Sequence, residues 1–219
     1  MHARIILPTF GLAVHTALML YIIVGLIIFS FLFGRGLKVV PGKLQSIVEM
    51  VVEFFINLVE ETMGREGKRY LPFVLTLTLF IFFSNVMGLI PGFVPPTANL
   101  NTTLGLALCV FVLTHIIGVK MHGVKYFKHF VGPVWALAFL MVPIELVGHF
   151  ARPVSLALRL FGNMMGHEQI VGVLLKLMPF AFPLLLVSTA LGVLVIFLQS
   201  FIFALLTMMY LGGAIEEAH

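Results

Sequence analysis

Arg159, Asn163, His167 and Glu168 fall within one short run, SLALRLFGNMMGHE, in a stretch of chain that is otherwise almost entirely apolar. Each brings a distinct chemistry. The guanidinium of arginine keeps its proton under all ordinary conditions and is a fixed positive charge. Histidine exchanges a proton near neutral pH. Glutamate does so when burial raises its pKa. A fixed cation beside ionisable groups in so apolar a stretch calls for a cavity or a partner.

Their spacing groups them further. At about 100° per residue from Arg159, Asn163 lies at about +40°, Gly166 at about −20° and Ser155 at about −40°. Arg152 lies at about +20°, Glu145 at about +40°, and His149 and His167 both at about +80°. One stripe about 120° wide therefore collects nearly every polar residue of the segment. Glu168 points about 180° away, toward a different neighbour such as the last helix. On that last helix Gln199, Ser188, Gly192 and Tyr210 share one face within about 20°, and Gln199 is its strongest polar member. Ionisable groups at membrane depth are costly and usually face a cavity or a partner.

The elements that must hold these residues are membrane helices. The chain has 219 residues, 61% of them hydrophobic and 10% charged, with a mean hydropathy of +1.14. Soluble domains carry about 25% charged residues. The composition therefore predicts an all-α polytopic membrane protein, one integral membrane domain over 1–219, with no soluble domain, repeat or low-complexity segment. Net charge is +4, and there is no aspartate. Cys109 is the single cysteine. It excludes an internal disulfide and reads as a small apolar packing residue.

A spanning helix needs about 20 apolar residues. Residues 10–33 supply the first. Arg4 ahead of it imitates a signal peptide, but the apolar stretch from Ile5 to Phe33 outruns an h-region of about 7–15 residues, so it reads as a retained helix. Residues 43–64 carry Glu49, Glu53 and Glu60 at helical spacing among apolar residues, which predicts an amphipathic surface helix. From Tyr70 to Val119 there is no Lys, Arg, Asp or Glu. Pro91, Pro95 and Pro96 divide this stretch into spans at 70–90 and 101–121. The segment 133–177 would be nearly 70 Å long as one helix, against a hydrocarbon core of about 30 Å. It must be tilted, kinked or broken, with Pro143 and Pro153 as the kink points. A last helix covers 184–212. The loops at 34–43, 65–69 and 120–129 are basic, and 91–100 is neutral. Basic loops face the cytoplasm, which puts the N-terminus outside and the C-terminus inside.

Several residues have plainer readings. Ser155 can bond back to its own helix. His15 and His115 read as packing or interface residues. Lys176 can snorkel to the external interface, and Arg152 can snorkel or pair with Glu145. Arg159, in mid-segment, has neither outlet.

The motif PVSLALRLFGNMMGHE, with NVMGLIPGFVPPTANLNTT and LQSFIFALLTMMYLGGAIEE, resembles the a-subunit family of F-type ATP synthases, the stator channel beside a rotating c-ring. The likeness covers roughly 40–219. It implies five membrane-embedded helices plus the surface helix, with the last two long and tilted against the c-ring. It implies that Arg159 is essential for proton translocation. Asn163, Glu168 and Gln199 match the external half-channel and Glu145 the cytoplasmic one; His149, Ser155 and His167 join the proton path through their place on the stripe. The implied partners are the c-subunit ring, the b-subunit peripheral stalk, the rest of the complex and the lipid bilayer; no nucleic acid, cofactor or metal is implied. Two departures stand out. Asn99 occupies a position where relatives often have aspartate. His167 stands where some relatives have glycine, and Gly192 where those carry histidine, so the imidazole has changed helices within one space. The short N-terminus and basic loops point to a bacterial plasma (inner) membrane. The resemblance implies a non-catalytic ion-channel subunit rather than an enzyme in its own right. A secondary ion-coupled transporter also places charge mid-membrane, but it usually has repeated halves, and none is visible. A passive anchor has no need of the polar stripe.

Overall fold

The computed structural model describes residues 13–90, 93–123, 126, 138–177 and 182–216. Among them are six α-helices and no strand. They are α1 (Val14–Arg35), α2 (Lys43–Met63), α3 (Leu71–Met87), α4 (Leu100–His122), α5 (Ala138–Lys176) and α6 (Phe182–Glu216). Helices answer the chemistry of the bilayer, since each satisfies its backbone polar groups internally.

Local residues set the helix ends. Gly64, at φ 68°, stops α2 in a conformation that side chains with a Cβ avoid. A 3-10 turn over Arg65–Tyr70 then leads directly into α3. A second short 3-10 turn, Pro96–Ala98, precedes α4, and the Asn99 side chain caps that helix by accepting from the Asn101 N–H at 2.9 Å. Gly123, at φ 57°, ends α4.

Four helical stretches are long and apolar enough to cross a membrane: Val14–Arg35, Arg65–Met87, Leu100–His122 and Pro183–Glu216. The chain is a multi-pass membrane protein. Helix α5 is long enough but less apolar, because it carries Glu145, Arg152, Arg159, Glu168 and Lys176. It runs without interruption through both Pro143 and Pro153. At about 1.5 Å per residue it is about 58 Å long, close to twice the hydrocarbon thickness. The expected overlength is therefore real and is not relieved by a break in the described part. The start of the first span (10–12), the start of the long segment (133–137), Lys125, Lys128, His129, Pro91 and the turn at Pro179 lie outside the described residues.

The helices pack in two apolar clusters. One joins Ile22 of α1, Leu77, Phe80 and Ile81 of α3, Ala107 and Val110 of α4, Leu156, Ala157 and Leu160 of α5, and Phe203 of α6. The other joins Phe55, Val59 and Met63 of α2 to Val74, Ile117, Ala204, Met208, Leu211 and Ala214. Lipid is as apolar as these side chains, so close contact rather than escape from water holds such helices together. Small residues supply that contact. At Gly212, for example, an added Cβ would stand 3.0 Å from the Thr62 carbonyl oxygen. The amphipathic α2 thus lies against α6 and keeps Glu49, Glu53 and Glu61 exposed, while Glu60 pairs with Lys68.

Candidate functional site

Helices α5 and α6 bring Asn163 to Gln199 and His167 to Gly192. The Asn163 side-chain amide donates to Gln199 Oε1 at 2.7 Å. Gln199 is only 2% exposed, so this bond ties the stripe of α5 to the polar face of α6. Two turns of α6 earlier, Gly192 opens a space that the His167 ring fills. A Cβ on Gly192 would meet the ring at 2.9 Å (Cδ2) and 3.0 Å (Cε1), and would meet Nε2 more closely still. The imidazole does occupy the space in front of residue 192. The expectation for Glu168 is corrected: it is exposed and makes no hydrogen bond or ion pair among the described residues. It is His167 that meets the last helix.

Arg159 lies one turn before Asn163 and one turn after Ser155, and all three are exposed. Its neighbours Leu156, Ala157 and Leu160 are buried against the bundle. Packing therefore turns the guanidinium away from the bundle, where it makes no hydrogen bond or ion pair among the described residues. The stripe is thus not uniform. Ser155 and Arg159 face outward, Asn163 and Arg152 reach Gln199 and Tyr210 of α6, and His149 and His167 turn inward.

Toward the start of α5, His149 is 5% exposed. Its Nδ1 lies 3.3 Å from the Glu145 carbonyl oxygen and 3.6 Å from Glu145 Oε1. The ring of His115, on α4, stands edge-on to it at 5.6 Å. His115 Nδ1 is itself held 2.8 Å from the Phe111 carbonyl oxygen. Next to this pair the Arg152 guanidinium sits 5.7 Å from the Tyr210 ring centre. His115, His149, Arg152 and Tyr210 line a cavity of about 20 Å³, above the ~10–15 Å³ that a water molecule needs. His115 read as packing because nothing in its own helix marks it; only the crossing of α4 and α5 brings the two imidazoles together.

A second polar group escaped the sequence reading. Ser84 and Asn85 near the end of α3, Thr97 in the hairpin and Thr103 on α4 are all fully buried. The Thr97 hydroxyl donates to Asn85 Oδ1 at 2.6 Å. The Pro96–Ala98 turn packs on α5 and α1. An asparagine and a serine inside an apolar span were the available signal, masked by the lack of charge. Among the described residues, the buried side-chain atoms with no hydrogen-bond partner are His15 Nδ1, Ser84 Oγ, Asn85 Nδ2, His167 Nε2 and Gln199 Nε2. Four of these five stand toward one end of the bundle: the start of α1, the end of α3 and the last third of α5. Buried polar atoms are normally satisfied by protein or water, so this end is polar, as is the His115–His149 region. No group of three or more His, Cys, Asp or Glu among the described residues could hold a metal ion.

The family model described as ATP synthase A chain matches residues 16–212. ATP synthase subunit a 1 of Syntrophotalea carbinolica is 53% identical over 213 residues, 97% of this chain and 90% of that protein. The ATP synthase subunits a of Geobacter sulfurreducens and Geotalea daltonii are 53% and 54% identical over 198 residues, 90% of this chain and 86% of each of theirs.

Proposed function

The chain belongs to the ATP synthase A chain family, and we propose from this membership and the geometry of α5 and α6 that it is the proton-translocating stator of the enzyme's membrane sector. The observation that carries the reading is Arg159, a permanent charge turned outward from an apolar bundle with no partner in its own described chain. Hydrocarbon is a costly place for such a charge. A carboxylate on a neighbouring ring of c-subunits is the counterpart that suits it.

Protons enter from the external side along the polar end of the bundle and reach His167, Glu168 and the Asn163–Gln199 pair. A ring carboxylate takes a proton there, becomes neutral and turns through lipid. It releases the proton on the cytoplasmic side, where Glu145 and His149 receive it, with the Ser155 hydroxyl as a hydrogen-bonding relay. Between the two paths Arg159 lowers the pKa of each arriving carboxylate and so favours release. Because arginine does not give up its own proton, it separates the paths without conducting. Each charge crossing 100 mV is worth about 2.3 kcal/mol, and rotation couples that to ATP synthesis. The subunit itself catalyses no bond change. Its partners are the c-ring, the b-subunit stalk and the rest of the complex. The basic loops support a bacterial plasma membrane with the N-terminus outside and the C-terminus in the cytoplasm.

The test is ATP-driven acidification of inverted membrane vesicles. Arg159→Ala abolishes pumping while the complex still assembles. Normal coupled pumping by that variant sinks the assignment.

A further inference from the structure

The corner between α1 and α2 is a built groove that the proton path does not use. Gln45, in the first turn of α2, accepts from the Lys38 backbone N–H at 3.1 Å and donates back to the Lys38 carbonyl at 2.9 Å. It thus holds the connecting loop as a neighbouring strand would. The same amide donates to Glu49 Oε1 at 2.8 Å. This lock leaves a groove of about 480 Å³ bounded by Leu32, Phe33, Leu37, Lys38, Lys43 and Leu44, within the ~300–1,000 Å³ of small-molecule sites.

The lining has two chemistries. Leu32, Leu37 and Leu44 are 65%, 57% and 78% exposed, so the protein leaves the groove's apolar walls uncovered. Leu32 also continues the outward-facing apolar surface of α1 formed by Ile28 and Phe29. The rim is cationic. Lys38 and Lys43 line it, and Arg35 stands beside it with its guanidinium 4.0 Å from the Phe31 ring centre. Between residues 35 and 48 there is no acidic side chain; the nearest along the chain, Glu49, has its carboxylate engaged by the Gln45 amide.

We propose that this corner is a binding site for an anionic phospholipid of the surrounding bilayer, with the phosphate between Lys38 and Lys43 and an acyl chain along Leu32 and Leu37. Free phosphate would leave the apolar walls uncovered. A zwitterionic headgroup would bring its own cation to a rim that already carries Lys38 and Lys43. Polybasic segments beside a membrane helix attract anionic lipid in this way. The site rests on the membrane placement of the chain and is independent of how protons move.

The experiment uses the intact ATP synthase complex in nanodiscs of mixed phosphatidylglycerol and phosphatidylcholine. Lipid retained after detergent washing is identified by native mass spectrometry. The parent complex retains phosphatidylglycerol selectively. The double variant K38Q/K43Q binds it about thirty-fold more weakly, and K38R/K43R keeps it. Q45A, which keeps all three cations, lowers retention by loosening the groove and carries the test if the double variant assembles poorly. Unchanged selectivity in K38Q/K43Q or Q45A overturns the site. Full displacement by millimolar inorganic phosphate overturns the lipid as its occupant. ATP-driven pumping is measured separately, so loss of lipid with normal pumping, or the reverse, tells the two readings apart.

Discussion

A single methyl group at Gly192 tests the α5–α6 contact most sharply. In an open helical position, glycine to alanine removes backbone freedom from the unfolded chain and favours the helix by about 0.5–1 kcal/mol. At Gly192 the new Cβ would stand 2.9 Å and 3.0 Å from two carbons of the His167 ring. Contacts that short require the ring to swing away or the helices to part. Overpacking of this kind costs about 1–3 kcal/mol, so the net effect is destabilising by up to a few kcal/mol. Gly172→Ala is the control, since a Cβ there meets nothing within 4 Å. Thermal unfolding of the detergent-solubilised complex reads the sign. Gly192→Ala lowers the transition and Gly172→Ala does not. Adding His167→Ala removes the obstacle, so the double variant recovers part of the loss. Contacting residues couple by about 0.5–3 kcal/mol. The exchange H167G/G192H returns an imidazole to the same space and restores ATP-driven proton pumping above the level of H167G alone. Equal stability of Gly192→Ala and the parent, or strict additivity in the double variant, refutes the contact.

Two further outcomes follow from local geometry. Asn99→Ala removes the cap of α4 and lowers stability by about 1 kcal/mol, whereas Asn99→Asp keeps it; thermal shifts of the purified complex separate the two, and equal shifts would refute a capping role. Thr97→Val leaves Asn85 Oδ1 buried without its 2.6 Å donor, at a cost of about 1–3 kcal/mol, and pumping slows because the polar end of the bundle loses its alignment; an unchanged pumping rate in vesicles would separate this pair from the external path.

The helices were legible because length, apolarity and breakers act locally. Val14–Arg35, Leu71–Met87 and Leu100–His122 begin and end within a few residues of their expected positions, since Gly36, Gly88 and Gly123, where these helices are capped, act on their own neighbours. The angular spacing of the polar residues along α5 is of the same local kind, as angle along one helix is a property of spacing. The expected kinks at Pro143 and Pro153 did not divide α5. What spacing cannot give is which neighbour each edge of a stripe meets. Glu168 and His167 are adjacent, yet only His167 reaches α6, and that depends on how α5 crosses α6 at Gly192. His115 and Asn85 needed residues from distant parts of the chain, His149 and Thr97, before they had a chemical context.

The continuity of α5 has a consequence for the scale of the transfer. Glu145 and Glu168 ride on one unbroken helix, separated by about 34 Å along its axis at 1.5 Å per residue. A proton passes between groups at hydrogen-bond range, about 3 Å. No sequence of side-chain exchanges along this rod closes that gap, because Arg159 stands within it and does not release its proton. On the proposed path, the helix therefore acts as a ruler: its length sets the span between the two groups that a carrier outside this chain has to cover.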